Sequence, residues 1–142
     1  MRKSLNSFEK IIGIKFKNQN LLLQSLTHKS NNPLNNNEKL EFLGDRVLGL
    51  IISKNLYKLF PKDKEGDLDK KLASLVNKKR CVEISNYLSL KDYVLVGDNK
   101  DNLKIENKIL ADTVESIVGA LYLDQGLEAV SYTHLRAHET SL

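Results

Sequence analysis

Carboxylates recur at helical spacing in two segments far apart in the chain. They are Asn37-Glu38-Lys39-Leu40-Glu41-Phe42-Leu43-Gly44-Asp45 and Leu110-Ala111-Asp112-Thr113-Val114-Glu115. An α-helix advances about 100° per residue, so Glu38, Glu41 and Asp45 fall within an arc of about 60°. Asp112 and Glu115 form a second one-face pair by the same arithmetic. Acids gathered on two faces repel unless something cationic sits between them. Hard oxygen ligands of this kind suit Mg²⁺ or Mn²⁺. The pattern reads as a metal-dependent active site. A solvated helix face with incidental acids is the bland alternative, and it fits poorly, because Asp45 and Asp112 lie inside otherwise apolar segments.

The elements that must position these acids are helical nearly throughout. Phe8, Ile11 and Ile12 predict a short helix ending near Gly13, and Leu21, Leu22, Leu23 and Leu26 a second, ending around Thr27-His28-Lys29-Ser30. The polar stretch from Asn31 to Asn37, with Pro33, is a loop. A long helix is expected from about Glu38 to Leu59, closed by Pro61, which cannot continue it. Its apolar stripe is Leu40, Leu43, Val47, Leu50 and Ile51, opposite the acids. Asp67 is the expected N-cap of the next helix, which carries Leu68, Leu72, Leu75 and Val76, with Val82, Ile84, Tyr87 and Leu88 beyond. Tyr93 to Gly97 reads as an extended connector rather than a strand, and Gly97 to Asn102 as a flexible loop. A last strong helix spans roughly Lys108 to Leu123, with Leu110, Val114, Ile117, Val118 and Leu121 opposite its acids. Gly49 and Gly119 each follow the last acid of their helix by one turn. At such positions a missing side chain lets helices or a backbone approach closely. The two acid faces are therefore expected to meet.

Composition bounds the rest. At 142 residues, 41% hydrophobic and 28% charged, the chain fits one soluble domain with a real core. A net charge of +4 permits a polyanionic partner without requiring one. No apolar run approaches the roughly 18 residues of a membrane span, and no secretory signal is visible, so no membrane partner is expected. The single Cys81 excludes an internal disulfide, fits a reducing cytoplasm, and is expected to be a small buried filler. There is no Trp and aromatic content is 6%, which argues against a base-stacking platform for single strands. Duplex recognition through shape, phosphates and 2′-hydroxyls suits the chain better. Lys62, Lys64, Lys70, Lys71, Lys78, Lys79 and Arg80 are candidates for phosphate contact, two or three of them at most.

The segment Asn37 to Leu48 closely resembles the signature helix of the ribonuclease III family. Leu26-Thr27-His28-Lys29-Ser30, Glu65-Gly66-Asp67-Leu68 and Ile109 through Asp124 agree with the same family in order and spacing. The resemblance covers about residues 5 to 129, expected to form one nuclease domain over 1–129. It implies an all-α, homodimeric endoribonuclease that hydrolyses both strands of double-stranded RNA, leaving 5′-phosphate and 3′-hydroxyl ends. Ribosomal precursors and structured messages are the implied substrates. The family's metal ligands fall on Glu41, Asp112 and Glu115, and its other essential acid on Asp45, which makes Asp45 and Glu115 the expected catalytic acids. Glu38 matches a secondary acid of the cleft, and Phe42, which lies about 40° from Glu38 on the acid side, matches a dimer contact. Mg²⁺ is the implied cofactor, Mn²⁺ a substitute, two ions per site, with no small-molecule cofactor.

The chemistry is consistent with those residues. A phosphodiester is anionic, so its hydrolysis needs charge neutralised and a water deprotonated, and two divalent ions about 3.5–4 Å apart can do both. Asp45 either binds metal directly or orients its waters, and the sequence leaves both open. Thr27 to Ser30 reads as a structural turn rather than a source of catalytic groups. Glu65 belongs either to a turn or to a subunit junction. Two rivals keep the fold: a small relative lacking the family's RNA-binding domain, and a non-catalytic dimer that binds RNA or the ribosome. The second predicts lost acids, yet every acid position is filled. A carboxylate-bridged di-iron protein would want Glu-x-x-His pairs, and none precedes the C-terminal stretch.

Residues 130–142 break the style of what precedes them: two of the three histidines lie here and the abundance of Lys and Asn vanishes. They read as a non-native tail, a translated sequencing adapter, after which the family's usual RNA-binding domain is missing. His134 and His138 as an i, i+4 metal pair is the rival, weak without a third ligand.

Overall fold

The computed structural model describes residues 3–97 and 105–139, with side chains as far as Thr133. Its helices are α1 (Leu5–Ile12), α2 (Gln19–Ser25), α3 (Glu38–Leu59), α4 (Glu65–Leu75), α5 (Lys78–Tyr87), α6 (Asn107–Gln125) and α7 (Leu127–Glu139). A 3₁₀ turn at Leu90–Asp92 precedes the connector. The described residues contain no strand, only an isolated parallel bridge between Thr27 and Leu95. The all-α expectation holds. The flexible loop expected beyond Gly97 lies outside the described residues.

Local chemistry explains the boundaries. Ser4 caps α1 by accepting from the Ser7 amide, and Gly13 ends the helix at φ 74°, a left-handed conformation that glycine adopts at no steric cost. Asn18 and Asn77 cap α2 and α5 through their side-chain oxygens. Asp67 does not cap α4. The helix begins at Glu65, so Glu65 and Asp67 both lie in its first turn, where they oppose the positive end of the helix dipole. Gly126, at φ 92°, separates α6 from α7.

Helix α6 is the centre of the molecule, buried without interruption from Leu110 to Leu121, polar residues included. Asp112 and Glu115 are buried with the rest of this stretch. They are enclosed by α3 and α5. Such a helix must satisfy its polar groups inside, and it does: the Ser116 hydroxyl donates to the Ser25 carbonyl at 2.5 Å, which also accepts from the Asn37 side chain at 3.4 Å. One carbonyl thus ties the end of α2 to the start of α3 and the middle of α6.

The stripe on α3 also differs from expectation. Leu40, Val47 and Ile51 are buried, but Leu50 is 56% exposed. Leu48, Ile52 and Leu56 are buried instead, although they continue the line of Glu41 and Asp45 along the helix. One side of α3 begins as cleft and ends as core, because its first half borders the acids of α6 and its second half packs over apolar neighbours.

Gly44 and Gly119 make the crossing of the two helices. A Cβ on Gly44 would lie 1.6 Å from the Glu115 carbonyl oxygen, and one on Gly119 would lie 2.2 Å from that of Leu40. Gly49, expected to serve this purpose, has nothing within 4 Å of its Cβ direction. It points about 140° around the helix from Gly44, where α6 does not cross it.

Candidate metal centre

The glycine crossing brings α3 and α6 close enough for their acids to face one another. One carboxylate oxygen each from Glu41, Asp112 and Glu115 lie within 4.8 Å of one another. Glu41 lies beside Asp112, and Glu115 beside Asp45, each close enough for one acid to perturb the other. Four acids from two distant segments thus form one continuous set. Neighbouring acids disfavour each other's charged forms, and burial adds to the effect. Burial, then the neighbouring Asp45, pushes Glu115 up to about 8. Burial, then Asp112, raises Glu41 as well.

Asp112 moves the other way. Burial alone would raise it, but hydrogen bonds from Lys108 and Lys78 overcome that and hold it ionised. The Lys78 ammonium is 2.6 Å from Oδ1 and that of Lys108 is 2.7 Å from Oδ2. Lys78 is one of the candidate phosphate contacts read from the sequence, whereas Lys108 is not among them. The i, i+4 spacing from Lys108 to Asp112 was the available signal.

The remaining candidates line the same cleft, of about 470 Å³, which Glu38, Glu41, Phe42, Asp45, Arg46, Lys78, Cys81 and Glu115 help to form. Asp45 sits on its outer side, with an Arg46 guanidinium nitrogen 3.2 Å from Oδ2. Glu38 is more remote, 3.9 Å from the Lys29 ammonium. Phe42 is 63% exposed, and its ring carries the Arg46 guanidinium at 4.2 Å. Cys81 is buried, and burial followed by the charge of Glu115 pushes its thiol up to about 12, so it is inert filler.

The Thr27 to Ser30 turn is structural here. The Ser30 amide donates to His28 Nδ1 at 3.1 Å, and the His28 amide donates to the Leu95 carbonyl at 2.8 Å. These bonds pin the extended connector, whose Leu95 amide donates to the Leu26 carbonyl at 2.8 Å.

The donor set suits a hard divalent cation: oxygen only, anionic in excess, and gathered from two rigid helices. Residues 18–137 match the family model described as Ribonuclease-III-like. The chain belongs to that family.

Within the Ribonuclease-III-like family, it is 54% identical to Ribonuclease 3 of Pelagibacter ubique over 128 residues, covering 89% of this chain and 58% of that protein. Ribonuclease 3 of Campylobacter jejuni is 42% identical over 139 residues, covering 96% and 62%. The chain thus spans about three fifths of the length of these curated relatives. Among solved structures, the nuclease domain of ribonuclease III from C. jejuni matches with a TM-score of 0.92 at 42% identity, covering 96% of this chain and 97% of that one. A region of that domain is described as involved in dimer formation. Dicer from Pichia stipitis matches with a TM-score of 0.69 at 26% identity, over 89% of this chain and 56% of that one.

Proposed function

We propose that this chain is the nuclease domain of a divalent-ion-dependent endoribonuclease that hydrolyses both strands of double-stranded RNA, leaving 5′-phosphate and 3′-hydroxyl ends. The observation that carries this is the convergence of Glu41, Asp45, Asp112 and Glu115, two of them buried, at the crossing of α3 and α6. Burying acids side by side costs stability, and a fold tolerates that cost where a cation or a reaction uses them. Glu41, Asp112 and Glu115 hold the metal, Mg²⁺ with Mn²⁺ as substitute and two ions per site. Asp45 completes the set through Glu115, and Glu38 extends the acidic rim. A bound divalent ion supplies charge neutralisation at the scissile phosphate and activation of the attacking water. The protein's own part is to fix the carboxylate oxygens on two helices that cannot slide, because glycines lock their crossing.

The working unit is a homodimer in the cytoplasm, with Phe42 at the subunit contact, and its substrates are ribosomal precursors and structured messages. Residues 130–142 are foreign to the natural sequence. The test is incubation of the protein with a long RNA duplex and Mg²⁺. Short discrete products, abolished by chelation and by Glu115→Ala, support the enzyme, whereas duplex binding without cleavage would leave a scaffold.

A further inference from the structure

The cleft carries its own cations. Asp112 accepts two ammonium groups, one on each carboxylate oxygen, Lys78 at 2.6 Å from α5 and Lys108 at 2.7 Å from its own helix. Both lysine side chains are mostly exposed, 62% and 71%, whereas that of Asp112 is 12% exposed. Two solvated, entropically free chains have been drawn onto one buried carboxylate, and they reach it from opposite oxygens. A carboxylate oxygen of Glu41 and one of Glu115 lie within 4.8 Å of one on Asp112, so the ammonium groups sit at the edge of the acidic cluster.

We infer that Lys78 and Lys108 are positioning residues that act as stand-in cations, holding the Asp112 carboxylate in place until a divalent ion displaces them. The inference rests on the metal-centre reading above. A metal that takes an Asp112 oxygen meets an ammonium group already bonded to that oxygen, and like charges at such range repel. The lysines must then turn outward. Room exists for them: Lys78 and Lys108 themselves line a groove of about 450 Å³, together with Lys79, Val82, Glu83 and Asn107. The pair therefore stabilises the metal-free protein and weakens metal binding, a combination that keeps the ion exchangeable.

The test is Mn²⁺ binding, followed by the electron paramagnetic resonance of the free ion, to the full chain and to Lys78→Gln, Lys108→Gln, the double variant and Lys78→Arg. Each Gln variant is expected to bind Mn²⁺ roughly three- to tenfold more tightly, the double variant more tightly still, and Lys78→Arg much as the parent does. Without metal, the Gln variants are expected to unfold at lower temperature, with the gap narrowing as Mn²⁺ saturates the site. Unchanged or weaker Mn²⁺ affinity in the double variant, with the parent binding normally, would overturn the stand-in role alone. A parent that binds no Mn²⁺ would overturn the metal centre and this inference together.

Discussion

The carbonyl oxygen of Glu115 occupies the space where a side chain of Gly44 would begin, 1.6 Å from the ideal Cβ position. Backbone against backbone is the closest approach two helices can make, and it sets the separation of the acids they carry. The metal centre therefore depends on an atom that residue 44 lacks.

Gly44→Ala is expected to force the helices apart, at a cost of about 3 kcal/mol or more, because the obstacle is a backbone that cannot rotate away. Gly119→Ala meets the Leu40 carbonyl at 2.2 Å and should behave alike. Gly49→Ala, with nothing within 4 Å, should instead stabilise by up to about 1 kcal/mol through helix propensity. Urea denaturation of the three variants checks the contrast, which a general dislike of substitutions in α3 would not produce.

Glu115 is strained as an anion and needed as a ligand, so removing its charge should separate stability from activity. Glu115→Gln preserves the shape but cannot join Asp45 and Glu41 in a cation site. Duplex cleavage is expected to fall by about a thousandfold, a loss typical of an essential electrostatic group. At pH 8 in chelator, the same variant should melt at or above the parent's temperature, since a buried acid crowded by acids has been neutralised.

The titration of Glu115 gives a signed pH dependence. Its folded value of about 8 lies above its ordinary 4.5. The stability this group contributes is therefore fully present below about 4.5 and is lost as pH rises through about 8. Glu41, also raised, acts in the same direction. Asp112, lowered from 3.8, acts oppositely and only in acid, below the window of interest. In chelator, the melting temperature should decline from pH 5 to pH 8.5 more steeply in the parent than in Glu115→Gln. Millimolar Mg²⁺ should flatten the decline, because ion and proton compete for the same oxygens. A parent curve parallel to that of the variant would contradict the assignment.

Period and punctuation were enough to place most helices. Gly13 and Pro61 marked true ends, and α3 runs over the expected Glu38–Leu59. The convergence of the acids was legible too, since helical spacing placed each pair on one face and apolar neighbours argued against a solvated one. What periodicity cannot report is which neighbour a face meets. Gly49 and Gly44 differ in direction by a little over a third of a turn, and only the packed position of α6 decides which one is crossed. For the same reason Leu50 was placed in the core and lies outside it, while Leu48 and Ile52 lie within. A helix that serves cleft and core along one line has no single polar face to detect. The lysines on Asp112 were harder still, because long flexible chains declare their partners only in three dimensions.

Phe42, Leu50 and Tyr57 leave one side of α3 apolar and exposed, at 63%, 56% and 75%. The first borders the acidic cleft, which fits a subunit contact that completes the active unit. Phe42→Glu is expected to shift the protein from dimer to monomer in sedimentation equilibrium, raising the dissociation constant by about a hundredfold. Its helix content should be unchanged, since the residue makes no core contact. Dimers of undiminished affinity would move the contact elsewhere.

Thr133 lies in a mostly apolar wall that also includes Lys10, Tyr87 and Tyr132. A cavity of about 280 Å³ is lined by Ile11, Ile12, Ile84, Leu88, Val114, Ile117, Leu121 and Val130, with Thr133 closing one side. Its hydroxyl turns back to the Ala129 carbonyl at 3.1 Å and leaves that space unfilled. Val130, one turn earlier, is buried to 1% exposure among the same helices, so α7 docks here through its apolar side. Thr133→Leu adds methyl groups toward the cavity and gives up the hydroxyl's bond to the Ala129 carbonyl. A gain of about 1 kcal/mol in the urea midpoint is expected, the usual return for filling a cavity. A neutral or destabilising Thr133→Leu would mean that the wall has no unfilled side and that threonine belongs there.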